Sequence, residues 1–271
     1  GYNEEDYEIV FRAMARGQTR RFFKFRDLPN RKSDSNNDSG ISTDYIGMNH
    51  GYPEAGYAER ERMHRAHEIY QRGLVWTVQN HPRVPPEIRA FYRPWGLPLD
   101  EFVESGHWPP QLYIRESRRM ASDYVITESV VSRREPVPDG VGLGSYAMDS
   151  HHTQYCIGED GFLRTEGGFY LPLDAPYPIS YRAMVPRPAE CTNLLVPVCL
   201  SATHAAYGSV RMEPVFMILG QSAATAACLS IDLGRAPADL PYEALQARLL
   251  ADGQVLSWTR SPDPSRDPVL P

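Results

Sequence analysis

A long apolar segment near the C-terminus constrains this chain of 271 residues more than any other feature. Residues 214–231 form an apolar window in which small side chains and a few polar ones are mixed. Pro214 suits the first turn of a helix and Gly234 suits its end, so one helix is predicted between them. Because small residues allow close packing and polar residues suit lipid poorly, we expect a buried helix rather than a membrane span.

The segment before this helix predicts a strand and a turn. "NLLVPVCLS", residues 193–201, is a nearly continuous apolar run, which suits a strand covered on both faces. "SATHAAYGSVRMEP", residues 201–214, reads as a polar turn that contains Gly208. A strand, turn and helix in this order direct backbone N–H groups and a positive dipole end at whatever lies above the turn. The positive end of the helix favours a phosphate or an electron-rich flavin ring. Simple capping of the helix is an equally good explanation of the polar turn.

The rest of the chain predicts a mixture of helices and short strands. Residues 4–27 predict a short amphipathic helix followed by an extended piece, and residues 30–57 predict a long polar loop. Helices are predicted for three segments: 57–80, "PPEIRAFYRPWG" and "YEALQARLLADG". The middle of the chain, from "GVGLGSYAM" to "YPISYRAMVP", predicts short strands joined by turns. The fold class is therefore α+β or α/β, with a disordered tail from residue 261.

Composition excludes one class of partner. The chain has 28 Lys and Arg against 34 Asp and Glu, a formal charge of -6, so it does not resemble a nucleic-acid binder. The four cysteines form no CxxC pair and are interpreted as buried structural thiols rather than as disulfide or metal ligands. The opening "GYNEEDYEIV" has no Met and no secretory signal pattern, so we expect a fragment or a processed chain.

Several ordered segments carry a family resemblance. "PYPISYRAMVPRPAECTNLLVPVCLSATHAAYGSVRMEPVFMILGQSAATAA" resembles the C-terminal signature of FAD-dependent oxidoreductases, specifically FAD-dependent dehydrogenases and xanthan lyase-like flavoproteins. "GISTDYIGMNHGYPEA", "WPPQLYIRESRRMASDYVIT" and "GLGSYAMDSHHTQYCI" resemble the interior of that family. The likeness covers most of residues 30–256 and implies FAD as the cofactor.

The resemblance also implies a domain organisation, that of the C-terminal part of a two-domain flavoprotein. Residues 1–190 would form a substrate-side domain of helices and mixed sheet, and residues 191–260 the last strand, turn and helix of an FAD-binding domain. The family's GxGxxG phosphate loop has one candidate here, "GVGLGS" at 140–145, whose third glycine is misplaced and which leads into no helix. We predict a glycine-bearing strand or turn there, which leaves independent FAD binding by this chain open.

Carried over position by position, the resemblance implies a set of cofactor-binding residues between the last strand and the last helix. They are Ser209, Arg211, Met212, Glu213, Cys199 and Ser201. At the strand end, many flavoproteins have an acidic residue where this chain has Cys199, which weakens the case for a ribityl contact there.

Histidines are the candidate catalytic residues, because oxidation of an alcohol or amine by hydride transfer needs a base. His204 lies in the turn beside the implied flavin, while His151 and His152 follow a predicted strand; a structural role for each remains open. Neighbouring residues of a strand point to opposite faces, so no metal site is predicted for this pair. "DSNNDSG" fails the calcium-loop pattern, because Ser39 and Tyr45 take the positions of its Gly and Glu.

The substrate-contacting residues are the least specific part of the prediction. The candidates are Asn36, Asn37, Arg115, Tyr181 and Arg182, for which a solvated loop or structural ion pairs are the alternatives. The function expected is hydride transfer to flavin from an alcohol or amine carbon of a small molecule, with a carbohydrate-like substrate as the first guess. The alternative is a truncated, non-catalytic chain that binds a glycan or a partner. A histidine-dependent hydrolase is disfavoured, because no GxSxG motif is present.

Overall fold

The computed structural model describes residues 1–17, 23–37 and 42–259. The helices in this part are α1 (Glu8–Ala15), α2 (Tyr57–Asn80), α3 (Pro86–Tyr92), α4 (Glu128–Val131), α5 (His204–Val210), α6 (Glu213–Leu233) and α7 (Tyr242–Ala251). The strands are β1 (Phe23–Leu28), β2 (Lys32–Asn37), β3 (Gly140–Gly144), β4 (Met148–Ser150), β5 (Gln154–Ile157), β6 (Leu163–Glu166), β7 (Phe169–Leu171) and β8 (Tyr177–Ser180). They form two compact units: Gly1–Ile114 with Thr153–Glu166, and Arg115–His152 with Gly167–Pro271.

Unit 1, the first of these, has a core of apolar side chains from α1, α2 and α3. The predicted helix over 57–80 is confirmed, and so is the helix that begins at Pro86 and ends before Pro94. Gly73 of α2 leaves room for the buried ring of Tyr7, whose hydroxyl donates to the Tyr70 carbonyl at 3.1 Å. A side chain at Gly73 would overlap that ring, so the close approach requires glycine there.

One prediction for unit 1 is wrong in part. Residues 30–57 do not form a single loop, because β2 pairs with β1 in antiparallel register, with Leu28 opposite Lys32. Asn30 turns the chain between the two strands with φ at 61°, a backbone region that asparagine tolerates better than most residues. The pairing hydrogen bonds come from the backbone, so they form without the apolar alternation by which a strand is recognised.

Unit 2, the second, has its core between β3, β8, α5, α6 and α7. The glycine-rich segment forms strand β3, as predicted, and it pairs with β8. A Cβ placed on Gly142 would lie 2.5 Å from Cγ2 of Ile218 in α6. Gly142 therefore serves the close packing of α6 on β3.

Helix α6 begins at Glu213 with Pro214 in its first turn, and Gly234 ends it in the left-handed conformation, as predicted. Its burial is one-sided, because Val215, Leu219 and Ala226 are buried while Met217 and Ile231 are exposed. Within the part of the chain that the structure describes, α6 alone has the length and apolar composition of a membrane span. Core helices also pass that test, so this is weak evidence for a span.

The segment before α6 differs from the predicted strand and turn. Residues 193–201 are irregular, and Leu194 and Val198 are about half exposed, so no strand covered on both faces forms there. Pro197 has no N–H to donate to a ladder, and the backbone bonds instead at single points, such as Ser201 N to the Ala183 carbonyl at 2.9 Å. The predicted turn contains helix α5, which the Thr203 side chain caps.

The sheets of the described residues are four antiparallel pairs of strands, so the chain is α+β rather than α/β. All four cysteines are free, but their predicted burial is wrong. Cys199 and Cys228 are exposed, and Cys156 and Cys191 are half-buried. The predicted boundary at residue 190, between a substrate-side domain and the elements of an FAD-binding domain, stays a prediction. The predicted disordered tail from residue 261 lies outside the described residues.

Candidate functional site

Strand β4 and helix α5 of unit 2 hold a cluster of charged and polar side chains. Ser150 at the end of β4 lies opposite Phe169 of β7. Helix α5 packs against β4 at Gly208, where an added Cβ would lie 2.7 Å from the Asp149 carbonyl oxygen. Glycine at this position brings the start of α5, with His204, close to the end of β4.

Asp149 is the first of two carboxylates in the cluster. Its Oδ2 accepts hydrogen bonds from Arg115 Nη2 at 3.0 Å, from Arg211 Nη2 at 3.1 Å and from the Tyr146 hydroxyl at 3.3 Å. Burial and the neighbouring Asp149 carboxylate raise the pKa of Tyr146, which keeps its hydroxyl protonated and able to donate.

Arg211 is the most buried charge in this cluster, with 4% of its side chain exposed. Its Nε is buried and has no acceptor among the described residues. An unsatisfied buried donor costs about 1–3 kcal/mol, so this N–H is a position at which an acceptor from a bound molecule would be stabilised.

Glu116 is the second carboxylate, and it holds His204. Glu116 Oε2 lies 2.8 Å from His204 Nδ1 and accepts from Arg119 Nη1 at 3.0 Å. The other ring nitrogen of His204, Nε2, lies 3.2 Å from Ser150 Oγ. The Phe169 ring meets the imidazole edge-on at 5.9 Å between centroids. The His204 side chain is 47% exposed, so a small molecule can reach the imidazole.

The other predicted catalytic histidines, His151 and His152, directly follow β4 and are half-buried. The His152 ring packs against Gly168, where a side chain would overlap the imidazole. Their catalytic role remains a prediction.

The predicted cofactor-binding residues fall into two groups. Ser209 and Ser201 are buried: the Ser209 hydroxyl bonds with Tyr177 at 2.7 Å and with the Tyr146 carbonyl, and Ser201 is engaged through its backbone. Arg211 belongs to the Asp149 cluster. Met212 is the N-cap of α6, and Glu213 is the first residue of that helix. Cys199 is exposed and lies apart from them in the sequence. The group that meets at the start of α6 is therefore Arg211, Met212 and Glu213.

Tyr181 and Arg182, predicted to contact substrate, have partners within the fold. The buried Tyr181 hydroxyl donates to the Pro237 carbonyl at 2.9 Å. Arg182 pairs with Asp139 at 3.1 Å and stacks over the Tyr124 ring at 4.4 Å. Arg115 belongs to the Asp149 cluster. Asn36 and Asn37 end strand β2, and their side chains lie outside the described part of the chain.

Several residues of the cluster were not predicted, and two of these, Glu116 and Ser150, hold His204. Glu116 stands next to the predicted Arg115 in "YIRESRR", and Ser150 precedes the predicted His151 in "MDSHH". Their common feature is contact with His204, which is 88 positions from Glu116 and 54 from Ser150. A single sequence gives no signal for contacts at such separations. No group of three His, Cys, Asp or Glu side chains suited to a metal is found in residues 1–17, 23–37 and 42–259.

Comparison with known proteins identifies the family. A family model described as FAD dependent oxidoreductase matches residues 1–249, which is most of the chain. Searches of curated proteins and of solved structures find no match. FAD is the cofactor that this family uses. The chain belongs to the FAD dependent oxidoreductase family.

Proposed function

We propose that this chain oxidises an alcohol or amine carbon of a small molecule and that His204 is the base. The observation that carries this proposal is the held imidazole, with Nδ1 on Glu116 and Nε2 directed at a hydroxyl, that of Ser150. A base for such a reaction needs a ring nitrogen that can accept a proton and a fixed orientation. His204 has both, in a chain whose family uses FAD.

The residues at the start of α6 fit the ring end of a flavin. Arg211 has a buried Nε without an acceptor among the described residues, and the N-cap of α6 has no side chain that caps the helix. Donors of this kind suit the carbonyl and nitrogen edge of the ring. Arg211, Met212 and Glu213 would hold the flavin, which agrees with the proposed role of residues 191–260 as one wall of the cofactor site. Cys199, Ser201 and Ser209 stay weaker candidates for that wall.

When bound, FAD would supply the oxidising power as the acceptor of a hydride from the substrate carbon. The protein then has to accept one proton from the substrate O–H or N–H group. As the substrate O–H or N–H bond breaks, His204 Nε2 takes the proton, and the carbon–oxygen or carbon–nitrogen bond becomes double. The Glu116 carboxylate stabilises the imidazolium that results, since a charge-assisted hydrogen bond is among the strong ones.

The proposal extends to the substrate side of the site and to the class of substrate. We propose that residues 1–190 supply the substrate side. Arg115, which precedes Glu116, and His151 and His152, which follow Ser150, are the first candidates in it. The polar segment with Asn36 and Asn37 supports a carbohydrate-like polyol as the first class to try, because amides both donate to and accept from hydroxyl groups.

The test combines cofactor binding with reduction of the cofactor. We expect the purified chain to bind FAD, followed by quenching of flavin fluorescence, and the bound flavin to lose its visible absorbance when an alcohol or amine substrate is added without oxygen. His204→Ala should slow that bleaching about 10²–10⁴-fold with FAD affinity unchanged. His64→Gln in unit 1 is the matched histidine control. Bleaching at the normal rate in His204→Ala would reject His204 as the base.

A second function is favoured by one observation. "GVGLG" is a strand that packs against α6, so the described chain has no phosphate loop at its glycine-rich segment. A non-catalytic chain that binds a glycan or a protein partner would need no such loop. Failure of the chain to bind FAD at any concentration would leave this function in place of the oxidoreductase.

A further inference from the structure

The Glu116 carboxylate that bonds to His204 also has a second partner, Arg119. Arg119 donates from Nη1 to Glu116 at 3.0 Å and from Nε to the Ala202 carbonyl at 3.0 Å. Ala202 lies two residues before His204, so the guanidinium connects the carboxylate to the chain segment that carries the imidazole. Only 18% of the Glu116 side chain is exposed, which limits its alternative positions.

This arrangement determines which nitrogen of the neutral imidazole carries the proton. A carboxylate only accepts hydrogen bonds, so Nδ1 of His204 must be the N–H that donates to Glu116. Nε2 is then left with its lone pair, directed toward Ser150 Oγ. The partner of one imidazole nitrogen thus sets the chemistry of the other.

The Ser150 hydroxyl can form a hydrogen bond with His204 Nε2 in both protonation states of the imidazole. Its Oγ lies 3.2 Å from His204 Nε2 and 3.2 Å from the carbonyl oxygen of His151. With neutral His204, the hydroxyl donates to Nε2. With protonated His204, Nε2–H donates to the Ser150 oxygen, and rotation of the hydroxyl lets it donate to the His151 carbonyl. The hydrogen bond between His204 and Ser150 is therefore kept in both states.

We infer that Glu116 and Ser150 are positioning residues for His204: Glu116 fixes the tautomer, and Ser150 conducts the proton between Nε2 and its surroundings. This inference rests on the proposed function, in which His204 is the base. The Ser150 hydroxyl turns to the His151 carbonyl while the substrate hydroxyl or amine gives its proton to Nε2. After the product leaves, Nε2–H gives that proton to Ser150 Oγ as the proton of the Ser150 hydroxyl passes to water. The relay changes no oxidation state.

The same three residues also have the order of a hydrolase triad, but their setting disfavours a nucleophilic serine. Ser150 is 8% exposed and ends a regular strand, β4. The nucleophile of the α/β-hydrolases stands on a sharp strand-to-helix turn that exposes its oxygen. Labelling with a fluorophosphonate ester separates the two cases, since mass spectrometry would locate any adduct. A covalent adduct on Ser150 would overturn the relay.

The decisive experiment reads the imidazole directly. In the full chain labelled with ¹⁵N-histidine, and with His204 assigned by comparison with His204→Gln, we expect a protonated Nδ1 and an unprotonated Nε2. Glu116→Ala should move population to the Nε2–H tautomer, and Ser150→Ala should leave the tautomer unchanged. An unchanged tautomer in Glu116→Ala would overturn the inference. If that variant does not fold, Glu116→Gln, which preserves the volume, should give a smaller shift in the same direction.

Turnover provides the second readout. Glu116→Ala should lower kcat about 10–100-fold with KM changed less than about two-fold, as expected for a residue that acts through another. Ser150→Ala should lower kcat about ten-fold, and normal turnover in this variant would remove Ser150 from the relay. Glu190→Ala, an exposed carboxylate of the same unit, is the control. The tautomer measurement needs no substrate, so it decides the positioning role even if the proposed oxidation fails.

Discussion

An ion pair of unit 1 and an ion pair of unit 2 differ in how much of each side chain is exposed to solvent. On α2 of unit 1, Arg65 pairs with Glu61 at 3.0 Å while 73% and 57% of the two side chains stay exposed. In unit 2, Arg211 pairs with Asp149 at 3.1 Å, and only 4% and 17% of the side chains are exposed. Solvated pairs contribute little to stability, whereas a buried pair loses solvation and becomes costly when one partner is missing.

This difference separates surface chemistry from a candidate site. Charges of alternating sign on a helix surface are explained by solubility and by the weak stabilisation that i,i+4 ion pairs give to a helix. A buried cluster that leaves one donor unsatisfied is different, because the unsatisfied donor lowers the stability of the folded chain. Buried groups of this kind gather at functional sites, which is the reason for placing the proposed chemistry in unit 2.

The largest effect should follow removal of the most buried charge. Arg211→Met keeps much of the length of the side chain and leaves Asp149 with Arg115 and Tyr146. We expect a loss of about 3 kcal/mol in the free energy of unfolding, at the lower end for a broken buried pair because two partners remain. Urea denaturation measures this loss, and bound FAD per chain, expected to fall, measures the cofactor role.

An exposed arginine provides the matched control for this variant. Arg235→Met changes a solvated residue of the same unit and should shift the unfolding free energy by less than about 0.5 kcal/mol. If Arg211→Met also costs less than about 1 kcal/mol in the free energy of unfolding, the contrast between the buried and the exposed ion pair does not hold.

The sequence predicted the elements of the fold better than their contacts. The helix that begins at Pro214 and ends at Gly234 was predicted because its boundaries are local signals that proline and glycine provide. The strand predicted for residues 193–201 failed, although the run is apolar, because an apolar run does not show whether a neighbouring strand exists to pair with it. Strand β2 was missed for the converse reason, since its backbone pairs without apolar side chains.

The candidate site shows the same limit. His204 and Arg211 were predicted from their place in a recognisable segment. Glu116 was not predicted, because it becomes a candidate only through its 2.8 Å contact with His204, which is 88 positions away. Tyr181 and Arg182 were predicted from proximity in sequence, yet their side chains are engaged by the Pro237 carbonyl and by Asp139. Local pattern identifies residue types that suit a reaction, and tertiary contact decides which of them meet.

An intermediate effect is expected at a second buried carboxylate of unit 2. Burial raises the pKa of Asp139, but hydrogen bonds from Arg182 and Ser180 outweigh that effect, so the pKa is lowered overall. The ionised form is thus favoured in the folded state. Its contribution is fully present above the unfolded pKa near 4 and is lost as the pH falls through the lower, folded value.

Asp139→Asn should therefore cost roughly 1–2 kcal/mol at pH 7, where the charge-assisted bonds are intact, with a smaller difference at acid pH. The measurement is the unfolding free energy of both proteins between pH 7 and pH 3. Asp232→Asn, on the exposed side of α6, is the matched control. A cost that stays constant over this range would show that the loss is one of packing and not of charge.

The smallest effect belongs to unit 1 and completes the contrast. Arg65→Gln removes the Glu61 pair from the surface of α2 and keeps a good helix former in its place. An exposed i,i+4 pair contributes about 0.3–0.5 kcal/mol, and salt screens it, so the loss should be of that size at low ionic strength and disappear near 1 M salt. The same titration on Arg211→Met should retain most of its cost, because a buried pair is screened much less. Equal salt dependence in the two variants would mean that both pairs experience the same solvent, contrary to the burial that distinguishes the Asp149 cluster from the surface of α2.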